Sequence, residues 1–105
     1  MRRGEVWWYE HPDAGRRPYA ILTRDEACAV LNQVLAAPAT TVIRGIPTEV
    51  ALDSGDGMPR PCVLNLDNVT LIRPALCVER ITVLHASVMH RVCEALGHAI
   101  ACRAP

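Results

Sequence analysis

A chain of 105 residues builds one domain with one modest core, and cannot build two. Half of it is apolar, yet Phe is absent and only Trp7, Trp8, Tyr9 and Tyr19 are aromatic, so the core rests on Val, Ile, Leu and Ala. Eleven basic residues balance eleven acidic ones, which excludes a global field that gathers polyanions and makes any anion site a local one.

All the basic residues are Arg and none is Lys, a choice that suits phosphate and that an arginine-biased genome gives equally. The five cysteines, Cys28, Cys62, Cys77, Cys93 and Cys102, form no C-x-x-C pair and leave an odd one over. With no signal-peptide pattern and no long apolar span, they read as reduced, mostly buried thiols of a cytoplasmic protein that has no membrane segment. His11, His85, His90 and His98 do not join them at ligand spacings, so neither a metal nor another cofactor is expected.

In chain order, Arg3 to Glu10 reads as a first strand, rich in Val, Trp and Tyr and bounded by Gly4 and the turn residues His11 to Gly15. A second strand from Pro18 to Thr23 completes a hairpin. Asp25 to Ala29 offers one helical turn. Val30 to Thr41 reads as a long strand interrupted by Pro38, which points to a bulge or an edge and predicts that Ala39, Thr40 and Thr41 leave the ladder for a surface. A turn through Gly45 leads to a short strand, Thr48 to Leu52, and Asp53 to Pro61 is a loop by composition. Strands follow at Cys62 to Asn68, Val69 to Ile72 and Cys77 to Val83. Val88, Met89, Val92, Leu96, Ala99 and Ile100 recur at three- and four-residue spacing, which predicts an amphipathic helix from His85 to Cys102, either a lid on the sheet or half of a dimer seam. Six or seven short strands and one terminal helix predict a single domain spanning residues 1–105, mainly β: a small, strongly curved antiparallel barrel with a C-terminal helix.

The chemistry gathers at Gly15-Arg16-Arg17-Pro18. Proline restricts the residue before it to extended geometry, so Arg17 enters its strand in a direction that the backbone fixes. A guanidinium held this way presents a rigid fork of donors to phosphate oxygens. The alternative is an ordinary solvated turn before an edge strand.

Three stretches stand in this order: Met1-Arg2-Arg3-Gly4-Glu5-Val6-Trp7-Trp8, Gly15-Arg16-Arg17-Pro18, and Ala37-Pro38-Ala39-Thr40-Thr41 followed by Ile46-Pro47-Thr48-Glu49-Val50. Together they resemble the MazF/PemK (Kid) family of toxin endoribonucleases. The likeness continues through Val63-Leu64-Asn65-Leu66-Asp67-Asn68 and the terminal helix. It implies an SH3-like barrel, a homodimer, metal-independent cleavage of single-stranded RNA at a short sequence, and a cognate antitoxin whose disordered segment lies across the RNA groove. By position, the family's catalytic arginine falls on Arg17 and its catalytic threonine on Thr40. Two departures stand out. The loop before Arg17 lacks the longer S-E-Q-type insertion, and Asn65 stands where members nearer Kid carry an arginine two residues before the Asp that Asp67 matches.

RNA is cut without metal or water when its own 2′-hydroxyl attacks the neighbouring phosphorus. The protein must then stabilise charge on the phosphoryl oxygens, take one proton and give one. Arg17 fits the first task and Thr40 adds a hydroxyl hydrogen bond, but neither is a natural base. His11, in the loop near Arg17, is the first candidate for that role and Asp67 the second; a solvated loop histidine and a turn aspartate are the plain alternatives. Arg16, Arg24, Thr41 and Arg44 are candidates for flanking phosphates, and Asn65 and Asn68 for base edges. Trp8 or Tyr19 offers a stacking surface, although core packing accounts for both Trp residues. Two other functions remain: a gyrase-binding poison like CcdB, against which the non-aromatic tail Ala101 to Pro105 speaks, and a non-cleaving RNA-binding module.

Overall fold

The computed structural model describes residues 1–13 and 15–102. Strands β1 (Glu5–His11) and β2 (Gly15–Ile21) form the expected hairpin, in register from Val6 opposite Ala20 to His11 opposite Gly15. After β2, the amides of Leu22 and Thr23 both donate to the Leu35 carbonyl at 2.8 and 3.3 Å, and the single turn α1 (Asp25–Cys28) follows. Val30 and Leu31, expected to open a long strand, lie in the turn after α1, and are 75% and 49% exposed.

Strand β3 (Val34–Thr40) is the hub of the sheet. One edge pairs with β2, Tyr19 opposite Pro38 and Ile21 opposite Ala36. The other edge changes partner: Val34 to Ala36 pair with β6 (Thr70–Ile72), and Ala39 and Thr40 pair with β5 (Cys62–Asn65). Pro38 is therefore neither a bulge nor an edge exit, and Ala39 and Thr40 stay in the ladder; only Thr41 leaves it. The Leu35 carbonyl faces β2, so by the two-residue alternation the backbone of Pro38 faces the other edge, in the gap between the β6 and β5 pairings, where no donor is needed.

Strand β4 (Glu49–Leu52) pairs with β5, Glu49 opposite Asn65, and β7 (Cys77–Val83) pairs with β1. The antiparallel order is β4-β5-β3-β2-β1-β7, with β6 beside β3. The sheet curls as expected of a small barrel but does not close into one. The Thr82 hydroxyl donates to the Asp56 carbonyl at 2.9 Å, tying β7 to the turn beyond β4. The fifth strand is shorter than expected because Asn65 caps a 3-10 turn (Leu66–Asn68) through its side chain.

Helix α2 (Ala86–Ala99) buries Val88, Met89, Val92 and Ala95 against Val6, Ala20, Ala37 and Leu64, so it is a lid on this chain's own sheet. Full burial of each larger side chain contributes about 1.5–3 kcal/mol. The opposite face of the same strands buries Tyr9, Tyr19, Ile21, Val34 and Ala36. Coverage on both faces explains why the inner stretches of these strands, Val6 to Tyr9, Pro18 to Ile21 and Val34 to Ala39, are apolar with no polar alternation. Among the described residues no helix is long and apolar enough to cross a membrane.

Glu5 is the buried carboxylate of this core, 7% exposed. Its Oε1 accepts from the Arg2 amide and the Trp7 indole, each at 3.0 Å, and its Oε2 meets the Arg80 guanidinium at 3.3 Å. Burial alone would raise its pKa, but the Trp7, Arg2 and Arg80 donors outweigh it and hold the carboxyl below its ordinary value of 4.5. A lowered folded-state pKa means that this stabilisation is fully present above about 4.5 and is lost as pH falls through the lower folded value. We therefore expect Glu5→Gln to lower the stability at pH 7 by about 1–3 kcal/mol, with the gap to the parent protein closing at acid pH. Urea midpoints across that range test this, and a pH-independent gap would assign the effect to packing.

Candidate functional site

The β2–β3 register sets Tyr19 opposite Pro38; continued by two residues, it sets Arg17 opposite Thr40 where β2 begins and β3 ends. Both side chains line two adjoining hollows. The larger, about 310 Å³, adds Trp8, Thr41, Met58, Arg60 and Cys62. The smaller, about 160 Å³, adds Val42, Arg44, Asn65 and Asn68. Together they form a groove with Arg17 and Thr40 at its middle.

Its electrostatics are set by what is missing. Arg2, Arg24 and Arg80 each stand within 4 Å of a carboxylate, on Asp25, Glu26 and Glu5. Among the described residues Arg17, Arg44 and Arg60 in the groove have no carboxylate within 4 Å, and neither do Arg3, Arg73 and Arg91 elsewhere; Arg16, beside the groove, stands opposite Glu10 in the β1–β2 ladder, so the groove is locally basic although the chain as a whole is neutral. Arg16 lies 5.3 Å from the centre of the Trp8 ring, within range of a cation–π contact. Thr40 accepts from the Val42 amide at 3.1 Å, which leaves its hydroxyl proton to donate into the groove.

The loop carrying Arg44 is pinned from behind. Glu49 Oε1 accepts from the Arg44 amide at 3.0 Å and from the Gly45 amide at 2.9 Å, with Gly45 at φ +69°. Glu49 Oε2 is buried and finds no hydrogen-bond partner among the described residues. The Cys62 thiol is held protonated, its pKa pushed up by burial and by the Asp56 carboxylate, and so it forms wall rather than nucleophile. Burial likewise pushes the Cys77 thiol up to about 11. Cys93 and Cys102 are exposed, contrary to the expectation of mostly buried thiols.

The expected site residues divide. Arg17, Thr40, Thr41, Arg44, Asn65 and Asn68 line the hollows. Arg16 joins them through Trp8. His11 stands at the hairpin end, diagonal to Arg17 across the β1–β2 ladder, a spacing of about 7–8 Å that side chains span. Its Nδ1 accepts from the Asp13 amide at 3.1 Å, so in the neutral ring Nε2 carries the proton. Asp67 is not among the residues lining the hollows, though Asn65 and Asn68 on either side of it are, and its Oδ2 accepts the Thr48 hydroxyl at 2.6 Å. Arg24 lies beyond the far end of β2, paired with Glu26. Sequence reasoning missed Arg60 and Met58, hidden in a loop read by composition alone, and gave Trp8, half-buried on the groove wall, to the core. Among the described residues no three His, Cys, Asp or Glu side chains converge on a point where a metal ion fits.

The curled sheet with its helical lid is the fold of small bacterial toxins. It superposes on the Mycobacterium tuberculosis toxin MazF-mt6 with a TM-score of 0.87 and 32% identity, covering 95% of this chain and 99% of the other. It also matches a mycobacterial endoribonuclease solved with its cognate antitoxin, with a TM-score of 0.91 over 100% of this chain and 99% of the other, a likeness of fold alone at 24% identity. The probable endoribonuclease MazF5 of M. tuberculosis strain H37Rv is 45% identical over 101 residues, 95% of this chain and 93% of that protein. Residues 2–100 match the family described as PemK-like, MazF-like toxin of type II toxin-antitoxin system, and the chain belongs to that family.

The Glu49 geometry makes a direct prediction. Glu49→Gln keeps an oxygen for the Arg44 and Gly45 amides and removes the unpaired buried charge, so its thermal midpoint should equal or exceed the parent's. Glu49→Ala loses both bonds and should cost about 0.5–1.5 kcal/mol. Equal losses in the two variants would mean that the two amide bonds contribute nothing.

Proposed function

We propose that this toxin is an endoribonuclease cutting single-stranded RNA at a short sequence, through attack of the 2′-hydroxyl on the adjoining phosphorus. The P–O5′ bond breaks as the new P–O2′ bond forms, leaving a 2′,3′-cyclic phosphate and a 5′-hydroxyl. One proton leaves the 2′ oxygen and one arrives at the 5′ oxygen, so water is not consumed. The observation that carries this reading is Arg17 opposite Thr40 in a groove whose arginines, Arg17, Arg44 and Arg60, have no carboxylate within 4 Å among the described residues.

Arg17 lies on the non-bridging phosphoryl oxygens and stabilises the charge that grows there, with the Thr40 hydroxyl as a second donor. Arg44, Thr41 and Arg16 hold neighbouring phosphates, and Asn65 and Asn68 supply the donors and acceptors that read base edges. His11 is the donor we assign to the departing 5′ oxygen: as imidazolium, formed once Nδ1 has released the Asp13 amide, it gives its Nε2 proton and is left as the neutral ring. Asp67 retains Oδ1 while Thr48 occupies Oδ2, and it is the carboxylate we assign to the 2′ proton. Since guanidinium supplies the positive charge, the step needs no metal ion. Cutting of messenger, transfer or ribosomal RNA in the cytoplasm then stops translation and growth.

A cognate antitoxin restrains the toxin, as its family membership supports. Self-association into a homodimer has an uncovered apolar surface available at Val30, Leu31 and Leu71.

The decisive experiment is incubation of the purified chain with a mixed single-stranded RNA pool in excess EDTA, with the product ends analysed. Cyclic phosphate and 5′-hydroxyl ends are expected, with kcat lowered about 10²–10³-fold in Arg17→Ala and about 10²–10⁴-fold in His11→Ala and Asp67→Asn. Cutting that requires a divalent metal, or full activity in a folded Arg17→Ala protein, would overturn this mechanism.

A further inference from the structure

Arg60 enters the larger hollow from a loop built to hold it still. The Asp53 amide donates to Asp56 Oδ2 at 2.9 Å, and the Gly55 amide returns to Asp53 Oδ1 at 2.8 Å, closing a reciprocal cap. The Asp56 carbonyl then takes the Thr82 hydroxyl at 2.9 Å. Gly57, at φ +91°, presses so closely on Thr82 that any Cβ would collide with it. Met58, 4% exposed, anchors the next residue in the core. Pro59 and Pro61 flank Arg60, and a proline after an arginine restricts that arginine to extended geometry. The Arg17-Pro18 step delivers the central arginine in the same way. Two arginines, each aimed by the proline after it, thus reach one hollow from different walls, and neither has a carboxylate partner among the described residues.

The two hollows differ in chemistry. The smaller offers the side-chain amides of Asn65 and Asn68. The larger offers Trp8, Pro18, Met58 and Cys62 as an apolar wall, with Arg60 on its rim and no side-chain amide. An apolar and aromatic wall accepts any base by its face, whereas amides discriminate edges.

We infer that Arg60 is a substrate-binding residue: in the larger hollow it holds the phosphate of the nucleotide adjoining the cleaved bond, while that nucleotide's base lies against the Trp8 and Met58 wall. This rests on the ribonuclease reading, and it divides the groove into a half that grips any base and a half that selects one.

The test separates the two claims by measuring binding and cutting independently. Binding uses a single strand carrying deoxyribose at the cleaved position, which lacks the attacking hydroxyl; cutting uses the all-ribose strand. Arg60→Gln is expected to raise Kd and KM about tenfold at low salt for every sequence tested, with kcat and the preferred cleavage sequence unchanged. The slope of log affinity against log salt should fall by about 0.7, the share of one phosphate on a single strand, and Arg60→Lys should restore it. Parent-like affinity and slope in Arg60→Gln would overturn the assignment, as would an altered cleavage sequence, which would make Arg60 a base reader. Should the parent protein bind the deoxy strand without cutting the ribose one, the ribonuclease reading falls, and Arg60 still stands or falls by its Kd ratio.

Discussion

The groove depends on the register in which β2 meets β3. A slip of one residue would set Arg17 against Ala39 and turn Thr40 to the other face of the sheet. Three features forbid that slip. Leu35 accepts from the Leu22 and Thr23 amides and donates to the Thr23 hydroxyl at 2.7 Å, which locks the far end of the pair. Side chains are buried on both faces, Ala20 and Ala37 under the helix and Tyr19, Ile21 and Ala36 on the other side, so either face would be wrong after a slip. Pro38, lacking an N–H, sits only where the opposite edge of β3 passes from β6 to β5.

A neutral chain reaches a basic groove by spending its carboxylates elsewhere. Glu5 ties the first residues to β1 and β7, Glu49 pins the Arg44 turn, Asp53 and Asp56 cap the loop below Arg60, and Asp67 holds Thr48. Each of these acids serves backbone or hydroxyl donors, or a distant arginine, and none of them lines the hollows. Attraction for a polyanion is then confined to the few ångströms of the site and dies within a Debye length of roughly 8 Å at physiological salt. Under the proposed function, such a groove would hold phosphate at close range while the protein stays neutral to distant nucleic acid.

Local signals were legible and partner choice was not. The hairpin announced itself through β-forming residues around a Pro, Asp and Gly turn, and α2 through its three- and four-residue period. Arg17 was readable because proline fixes its backbone, and Thr40 through the resemblance. Pro38 misled because a strand that changes neighbours midway carries no local mark of it; the relevant partners, β5 and β6, lie some 25 to 35 residues further along. Val30 and Leu31 are strand formers by type, yet the turn after α1 holds them outside the ladder. Arg60 carries the same arginine–proline signal as Arg17, but in a loop whose composition announces only a turn. Arg24 rests on residue type alone, and the Glu26 carboxylate decides its place; Asp67 rests on the resemblance, and a hydroxyl at Thr48 takes one of its oxygens.

Placing Arg17 and Arg60 before prolines has an energetic logic. An arginine side chain carries about 2 kcal/mol of rotamer entropy, and a flexible backbone beneath it would add more to the cost of fixing its guanidinium on a phosphate. The following proline removes the backbone share in advance. For Arg16 the Trp8 ring limits side-chain freedom, and for Arg44 the Glu49 carboxylate fixes the turn beneath it. Donors organised before the substrate arrives need no rearrangement as charge develops, which is where electrostatic stabilisation gains its effect. Under the proposed mechanism the fold would therefore act on the chemistry chiefly by limiting the freedom of these guanidinium groups before a polymer enters, Arg17 at a strand end and Arg44 and Arg60 on pinned loops.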